Sequence, residues 1–136
     1  GAEQNQQIIK AVEKLLEKID TKNIFVDFHA ESTAEKQAMG YFLEGKVTAV
    51  VGTHTHIQTA DEKILSGGTA YISDLGMTGV ERSVLVKDIK PALDRFLYRT
   101  PSRLKEAEGK CFMCGVCISF DEKTGKSLKI ERFQVR

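Results

Sequence analysis

The sequence predicts an α/β fold that ends in a β-hairpin. Short apolar runs, long enough for buried strands but too short for helices, alternate with amphipathic segments over residues 6–98. The last third is instead rich in β-branched, apolar and aromatic residues around one polar turn. Strands that alternate with helices indicate a layered fold with buried strands. With 136 residues, the chain is long enough for one domain but not for two.

Three helices are predicted, over residues 6–19, 34–43 and 88–98. The first has one apolar stripe at three- and four-residue spacing. The second has Ser32 or Thr33 as a candidate N-cap, Glu35 in its first turn and Gly45 at its end. The third contains Pro91, which a helix tolerates only in its first turn. The residues of the first stripe are Ile8, Ile9, Val12, Leu15, Leu16 and Ile19.

Strands are predicted for three short apolar runs and for the two arms of the hairpin. Gly125, in the polar segment between the arms, is expected to have a positive φ. The predicted strands are Ile24–Phe28, Val47–Val51, Thr69–Ile72, Cys111–Phe120 and Ser127–Val135.

The bulk composition excludes several functional classes. A formal charge of +1 gives no sign of a nucleic-acid groove or an acidic-membrane surface. No apolar run approaches the roughly 20 residues that cross a bilayer, and the polar N-terminus is not a secretory signal. Three cysteines, an odd number, do not suggest a disulfide framework, so a cytoplasmic location is expected.

All three histidines lie where predicted strands end. His29 follows the first strand, and His54 and His56 follow the second, after Gly52, which gives the backbone freedom to turn. Sites in α/β sheets gather beyond the carboxyl ends of strands, so two parallel neighbours would bring the imidazoles to one rim. In an extended segment, residues two apart point to the same side, so His54 and His56 could reach one metal ion or two adjacent ions. A lone histidine is more often a surface or core residue, but this pattern favours metal binding.

Three long segments are distinctive: Val26–Lys36 (VDFHAESTAEK), Val51–Asp61 (VGTHTHIQTAD) and Thr69–Gly79 (TAYISDLGMTG). They resemble the corresponding motifs of the YmdB-like metallophosphoesterases of the calcineurin-like superfamily. The hairpin turn Asp121–Lys126 also fits, so the resemblance covers the chain from about residue 20. It implies the C-terminal half of an α/β/β/α sandwich. It also implies hydrolysis of phosphodiesters, including 2′,3′- and 3′,5′-cyclic nucleotides, by water activated between two divalent metal ions.

The resemblance also implies roles for individual residues. His29 and His54 would hold one metal ion and His56 the other; Mn or Fe is favoured, and Zn and Mg stay open. Asp27 and Asp74 are candidates for carboxylates that orient the ligating imidazoles. Glu31 and Asp61 are closer to ordinary surface or capping residues, and no residue is assigned as the catalytic acid or base. The loop Leu75–Gly79 could face a substrate phosphate or be an ordinary turn.

The family's N-terminal ligand motifs Gly-Asp and Gly-Asn-His are absent here, and Asp27-Phe28-His29 matches the third motif, Asp-x-His, only by spacing, since it lies within the later family segment Val26–Lys36. Residues 1–136 are therefore interpreted as a single partial domain, with Gly1 and Ala2 consistent with a cloning remnant. This half is expected to be inactive alone, and to pair with its missing half or with a second copy of itself, because a half-sandwich exposes an apolar sheet face.

Two rival functions remain open. The first is a non-catalytic metal-binding or interaction domain. The second is a cysteine-based metal or redox module built on Cys111, Cys114 and Cys117. Against the second, cysteines three apart on a strand point to opposite faces, so Cys114 would oppose the other two. Structural cysteines are the favoured interpretation.

Overall fold

The computed structural model describes all 136 residues and contains three helices and seven strands. It is a mixed α/β structure with one mainly parallel sheet and one antiparallel sheet, as the sequence predicts. In chain order the elements are α1 (Ala2–Lys18), β1 (Phe25–His29), α2 (Thr33–Leu43), β2 (Ala49–Thr53), β3 (Lys63–Leu65), β4 (Thr69–Ile72), β5 (Thr78–Val80), α3 (Ile89–Tyr98), β6 (Cys111–Phe120) and β7 (Ser127–Val135).

The first sheet has the strand order β1-β2-β4-β3. Strands β1, β2 and β4 are parallel, and β3 is antiparallel to β4. The carboxyl ends of the three parallel strands therefore lie at the same edge. The second sheet, β5-β6-β7, is antiparallel, and β6 and β7 form the predicted hairpin with the predicted bounds.

The core lies between the first sheet and helices α1 and α2. Val26, Val50 and Tyr71 are register partners on successive strands, so their side chains share one face of the sheet. Met39 and Leu43 of α2 pack against that face. The stripe on α1 is narrower than predicted: its inner residues contact the core, but the side chains of Leu15 and Ile19 remain 60% and 41% exposed. The stripe residues that do pack are Ile8, Ile9, Val12 and Leu16.

The antiparallel sheet packs against the face of the parallel sheet that is opposite the helices. The ring of Phe25, which neighbours Val26 and so faces away from the helices, meets the ring of Phe120 edge-on at 5.3 Å. Ser127 donates its hydroxyl to the carbonyl of Thr48 at 2.7 Å, and its amide to the carbonyl of Gly68 at 2.7 Å. The chain thus forms successive helix, sheet and sheet layers.

Several local signals mark element ends correctly, although α1 begins four residues earlier than predicted and β2 lies two residues later. Ser32 is the N-cap of α2 and accepts a hydrogen bond from the Glu35 amide. Gly45 and Gly125 have φ values of +77° and +72°, as their turn positions require. Pro91 lies in the first turn of α3. Strands β3 and β5 were not predicted, because three residues are too few to show a hydrophobic period.

The cysteines are free thiols on β6. Cys111 and Cys117 are exposed and Cys114 is half-buried, which agrees with the predicted alternation of faces. No set of three cysteine, histidine or carboxylate side chains is close enough together to hold a metal ion. The cysteine triplet therefore does not form a metal centre within this chain. No helix has the length and apolar character needed to cross a membrane.

Glycine is required at position 52 because another segment of the backbone passes too close for a side chain, and not because of the predicted freedom to turn. A Cβ atom at this position would lie 1.8 Å from the carbonyl oxygen of Ser73. The neighbouring backbone amide of Leu75 donates to the Gly52 carbonyl at 2.9 Å, so the two chain segments are hydrogen-bonded at this close approach. The sheet therefore has no room for any side chain at the point where β2 gives way to the histidine segment.

We expect Gly52→Ala to lower the free energy of unfolding by more than about 2 kcal/mol, because the backbone around Ser73 must move. Urea denaturation followed by circular dichroism measures this. Gly1→Ala is the control: a Cβ there meets nothing within 4 Å, and its effect should stay below about 0.5 kcal/mol. A Gly52→Ala protein as stable as wild type would show that the sheet can widen freely here.

Candidate metal site at the ends of the parallel strands

The parallel pairing of β1 and β2 decides where the first two histidines lie. His29, the last residue of β1, is the register partner of Thr53, the last residue of β2. His54 is the next residue along the chain. Both rings therefore emerge at the carboxyl edge of the sheet, as predicted for two neighbouring parallel strands.

The imidazoles of His29 and His54 are in direct contact. Nε2 of His29 lies 3.2 Å from Nδ1 of His54, and the two exposed rings are nearly perpendicular at 78°. With metal–nitrogen bonds of about 2.0–2.1 Å, adjacent nitrogens of an octahedral or tetrahedral shell lie roughly 2.8–3.4 Å apart. The observed separation falls in that range, so the pair fits two neighbouring positions around one divalent ion. The same contact can be an N–H···N hydrogen bond between neutral rings.

Thr53 and Asp27 form a hydrogen-bond chain to Nδ1 of His29, the ring nitrogen that does not face His54. The Thr53 hydroxyl donates to Oδ1 of Asp27 at 2.9 Å, and the Thr53 oxygen lies 3.1 Å from Nδ1 of His29. An ionised carboxylate can only accept, so the hydroxyl proton points to Asp27 and the Thr53 oxygen accepts from Nδ1–H. The proton on Nδ1 leaves the lone pair on Nε2, which is the atom that faces His54. This is the arrangement that a metal-ligating histidine needs.

Asp27 was predicted to orient an imidazole, and in the structure its link to His29 runs through Thr53. Sequence reasoning did not single out Thr53. Its role depends on the register of β1 against β2, and a threonine at a strand end is common. A polar β-branched residue directly before the His-x-His pair was the only local signal.

His56 is held differently from His54. Residues 54–57 form a bend beyond β2, and His54 and His56 have φ values of +129° and +65°. The expectation of an extended His-x-His segment is therefore wrong, and the alternation of sides does not apply. His56 is exposed and does not join His29 and His54 in a set of three ligands. Positive φ values in non-glycine residues cost of order 1–3 kcal/mol each and cluster at functional sites.

Asp74 binds the backbone between His54 and His56 and does not contact an imidazole. Its Oδ2 accepts from the amide of Thr55 at 2.8 Å and from Nζ of Lys36 at 3.0 Å, and its Oδ1 accepts from the amide of Gly76 at 2.9 Å. Burial alone would raise the pKa of Asp74, but these hydrogen bonds outweigh it and hold the pKa below its usual value. The predicted role beside a ligating ring is thus replaced by a role in shaping the bend.

Asp61 is a structural residue, in line with its interpretation from the sequence. Its carboxylate accepts from the hydroxyl of Thr59 at 2.7 Å and from the amide and hydroxyl of Ser73. Burial tends to raise the pKa of Asp61, and the hydrogen bonds from Ser73 and Thr59 lower it more, so the pKa lies below its usual value. These contacts fix the segment after the bend against the end of β4. Glu31 is exposed on the surface.

The family model for the YmdB-like protein matches residues 2–133 of this chain. The chain belongs to the YmdB-like family. It is 50% identical over 115 residues to a protein of Bacillus subtilis (strain 168) named 2′,3′-cyclic-nucleotide 2′-phosphodiesterase. That match covers 85% of this chain but only 44% of the Bacillus protein.

Two crystal structures of other proteins share this YmdB-like fold. One is a hypothetical protein from Thermus thermophilus, with a TM-score of 0.84 and 35% identity, covering 92% of this chain and 49% of that one. The other is described as a novel phosphatase from Mycoplasma pneumoniae, with a TM-score of 0.86 and 34% identity, covering 93% of this chain and 45% of that one. This YmdB-like chain thus spans less than half the length of each of these three proteins.

The lowered pKa of Asp61 predicts an acid-sensitive contribution to stability. A carboxylate whose folded pKa is depressed contributes fully above its unfolded value of about 3.9, and the contribution is lost as pH falls through the folded pKa. We expect Asp61→Asn to lower the urea midpoint at pH 7 and to make the midpoint less dependent on pH below about 4. Glu122→Gln, on the exposed hairpin turn, is the control. An unchanged acid profile in Asp61→Asn would contradict the assignment.

Proposed function

We propose that this chain contributes part of the active site of a metal-dependent phosphodiesterase that acts on small phosphodiesters of the 2′,3′- or 3′,5′-cyclic nucleotide class. The observation that carries the proposal is the His29–His54 pair, with nitrogens 3.2 Å apart at the carboxyl edge of the sheet. The name of the Bacillus relative, a 2′,3′-cyclic-nucleotide 2′-phosphodiesterase, supports the substrate class.

The residues of this chain would share the work in three ways. His29 and His54 would hold one divalent ion through Nε2 and Nδ1, and His56 would hold a second. Thr53, backed by Asp27, would keep the His29 lone pair directed to the ion. When bound, two such ions supply Lewis acidity to the phosphate oxygens and lower the pKa of the attacking water. Neutral imidazoles suit this chemistry because they do not cancel the positive charge of the ions. Mn or Fe is the favoured metal, with Zn and Mg as alternatives.

The chain would not complete the site alone. Two convergent imidazoles are fewer ligands than a catalytic metal site needs, and no third side chain of this chain joins them. The exposure of His29, His54 and His56 leaves room for further ligands from elsewhere. We therefore infer that the remaining ligands belong to the other part of a longer protein, in the cytoplasm, and that the isolated chain is inactive.

The exposed apolar residues support a partner surface. Phe96, Leu97 and Tyr98 of α3 are 82%, 60% and 70% exposed, and no residue of α3 is buried. Several neighbouring large apolar side chains in water are typical of surfaces that another polypeptide covers. The missing half of the domain is the favoured occupant, and a second copy of the chain is the alternative.

A non-catalytic metal-binding or interaction domain is the second candidate function. The observation that favours it is the lack of any set of three potential ligands. The two functions differ in turnover: both predict metal binding that depends on histidine, but only the first predicts hydrolysis by the complete protein.

In the complete protein, we expect His54→Ala to lower kcat/KM for bis(p-nitrophenyl) phosphate with Mn²⁺ by at least about 100-fold, because it removes one ligand of the pair. The absorbance of released nitrophenolate measures this. Lys123→Ala, exposed on the hairpin turn, is the control and should retain wild-type turnover. Unchanged turnover in His54→Ala would refute the phosphodiesterase proposal.

The hydroxyl of Thr53 gives a finer test of the same site. Thr53→Val keeps the β-branched shape but removes the link to Asp27, so we expect Co²⁺ to bind about 10–100-fold more weakly. Thr53→Ser retains a hydroxyl and should restore most of the affinity. Isothermal titration calorimetry measures both variants. Equal affinities for Thr53→Val and wild type would show that metal binding does not need the hydrogen bond between Nδ1 of His29 and Thr53.

A further inference from the structure

A buried ion pair lies directly beneath the histidine bend. Nζ of Lys36, on α2, lies 3.0 Å from Oδ2 of Asp74, and the two side chains are only 2% and 1% exposed. All other ion pairs of the chain are at least partly exposed at both partners. Removing two charges from water is unfavourable, and well-packed apolar residues often serve stability equally well. The pair therefore needs an explanation beyond the stability of the fold.

The position of Asp74 supplies such an explanation. Thr55, whose amide donates to Oδ2 of Asp74, is the single residue between His54 and His56. Both flanking histidines have positive φ values, which are sparsely populated conformations that persist only where the surroundings enforce them. The Asp74 carboxylate thus binds the backbone amide at the centre of the strained bend. Its other oxygen accepts from Gly76, so it also ties the bend to the loop that follows β4.

Lys36 fixes the carboxylate from the opposite side. The same oxygen, Oδ2, receives both the Lys36 ammonium and the Thr55 amide. The stem of Lys36 passes over Gly52: its Cδ would lie 3.0 Å from a Cβ at that position. A side chain at position 52 would therefore crowd the stem of the lysine. Helix α2, the end of β2 and the end of β4 are thereby joined at one carboxylate.

We propose that Lys36 and Asp74 are positioning residues, which hold the Thr55 amide so that His54 and His56 present their rings in the geometry that binds metal ions. The inference rests on the proposed function. Neither residue touches the imidazoles, and both act through the backbone of the bend. Losing the pair should let the bend relax towards ordinary φ values, which would move both rings with little change in the core.

The decisive variant is the double substitution Lys36→Met/Asp74→Leu in the complete protein, because an asparagine oxygen at position 74 could still accept from the Thr55 amide. It removes both charges together, so neither is left buried and unpaired, and it keeps the approximate shapes of the side chains. Single substitutions would confuse loss of positioning with the penalty of a lone buried charge. Met39→Ala is the matched control: Met39 lies on α2, three residues from Lys36, in the buried apolar core.

Three readouts separate positioning from stability: the Kd for Co²⁺, the visible spectrum of the Co²⁺-saturated protein, and hydrogen exchange at the Thr55 amide without metal. We expect the double variant to bind Co²⁺ about 10–100-fold more weakly, to give a changed spectrum and to lose roughly tenfold or more in Thr55 protection. Met39→Ala should unfold at a lower urea concentration while its cobalt spectrum stays that of wild type.

Three results would overturn the inference, and they are distinguishable. Wild-type affinity and an unchanged spectrum in the double variant would refute the positioning role alone. The same loss in Met39→Ala would also refute it, since general destabilisation would then be sufficient. Wild-type protein that binds no Co²⁺ would instead refute the proposed function, and this inference with it.

Discussion

The parallel register between β1 and β2 is the constraint on which the candidate site depends. It pairs His29 with Thr53, and so brings together an imidazole, the hydroxyl behind it and the next imidazole along the chain. A slip by one residue would turn every side chain of β1 to the opposite face. That slip would place the Asp27 side chain against the helices and turn the Phe28 side chain towards the second sheet. The apolar packing of Val26 and Phe28 under the helices therefore also fixes the chemistry at the rim.

Hydrogen bonds to main-chain groups set the geometry of the bend that follows. Asp74 binds the amides of Thr55 and Gly76, and Asp61 binds the amide of Ser73. In regular strands and helices, backbone amides donate to backbone carbonyls. In this bend, the carboxylate oxygens accept those hydrogen bonds instead. The chain can thus depart from regular structure at the site while the amides of Thr55, Ser73 and Gly76 remain paired. The lowered pKa values of both carboxyls have the same origin as the shape of the loop.

Most of the fold could be predicted because its signals are local. Apolar periodicity located the helices and the longer strands, and the hairpin arms were predicted to the residue. The His29–His54 contact followed from one topological rule about parallel strands. By contrast, Thr53 and Lys36 are functional candidates only through partners 26 and 38 residues away, and a lysine on a helix usually marks a solvated face. The bend at His56 was missed because its cause, the Asp74 carboxylate, lies on another part of the chain.

The hairpin of β6 and β7 is attached to this framework mostly by polar contacts. The only buried residues of its two strands are Gly115, at the middle of β6, and Ser127, at the start of β7. Gln58, just after the bend, donates to the carbonyl of Gly115 at 2.9 Å. Segments with little apolar burial open locally at lower free energy than the core. Within this chain, the hairpin can therefore fluctuate as a separate cooperative unit, and the side-chain amide of Gln58 is one direct link through which such a fluctuation would reach the histidine segment.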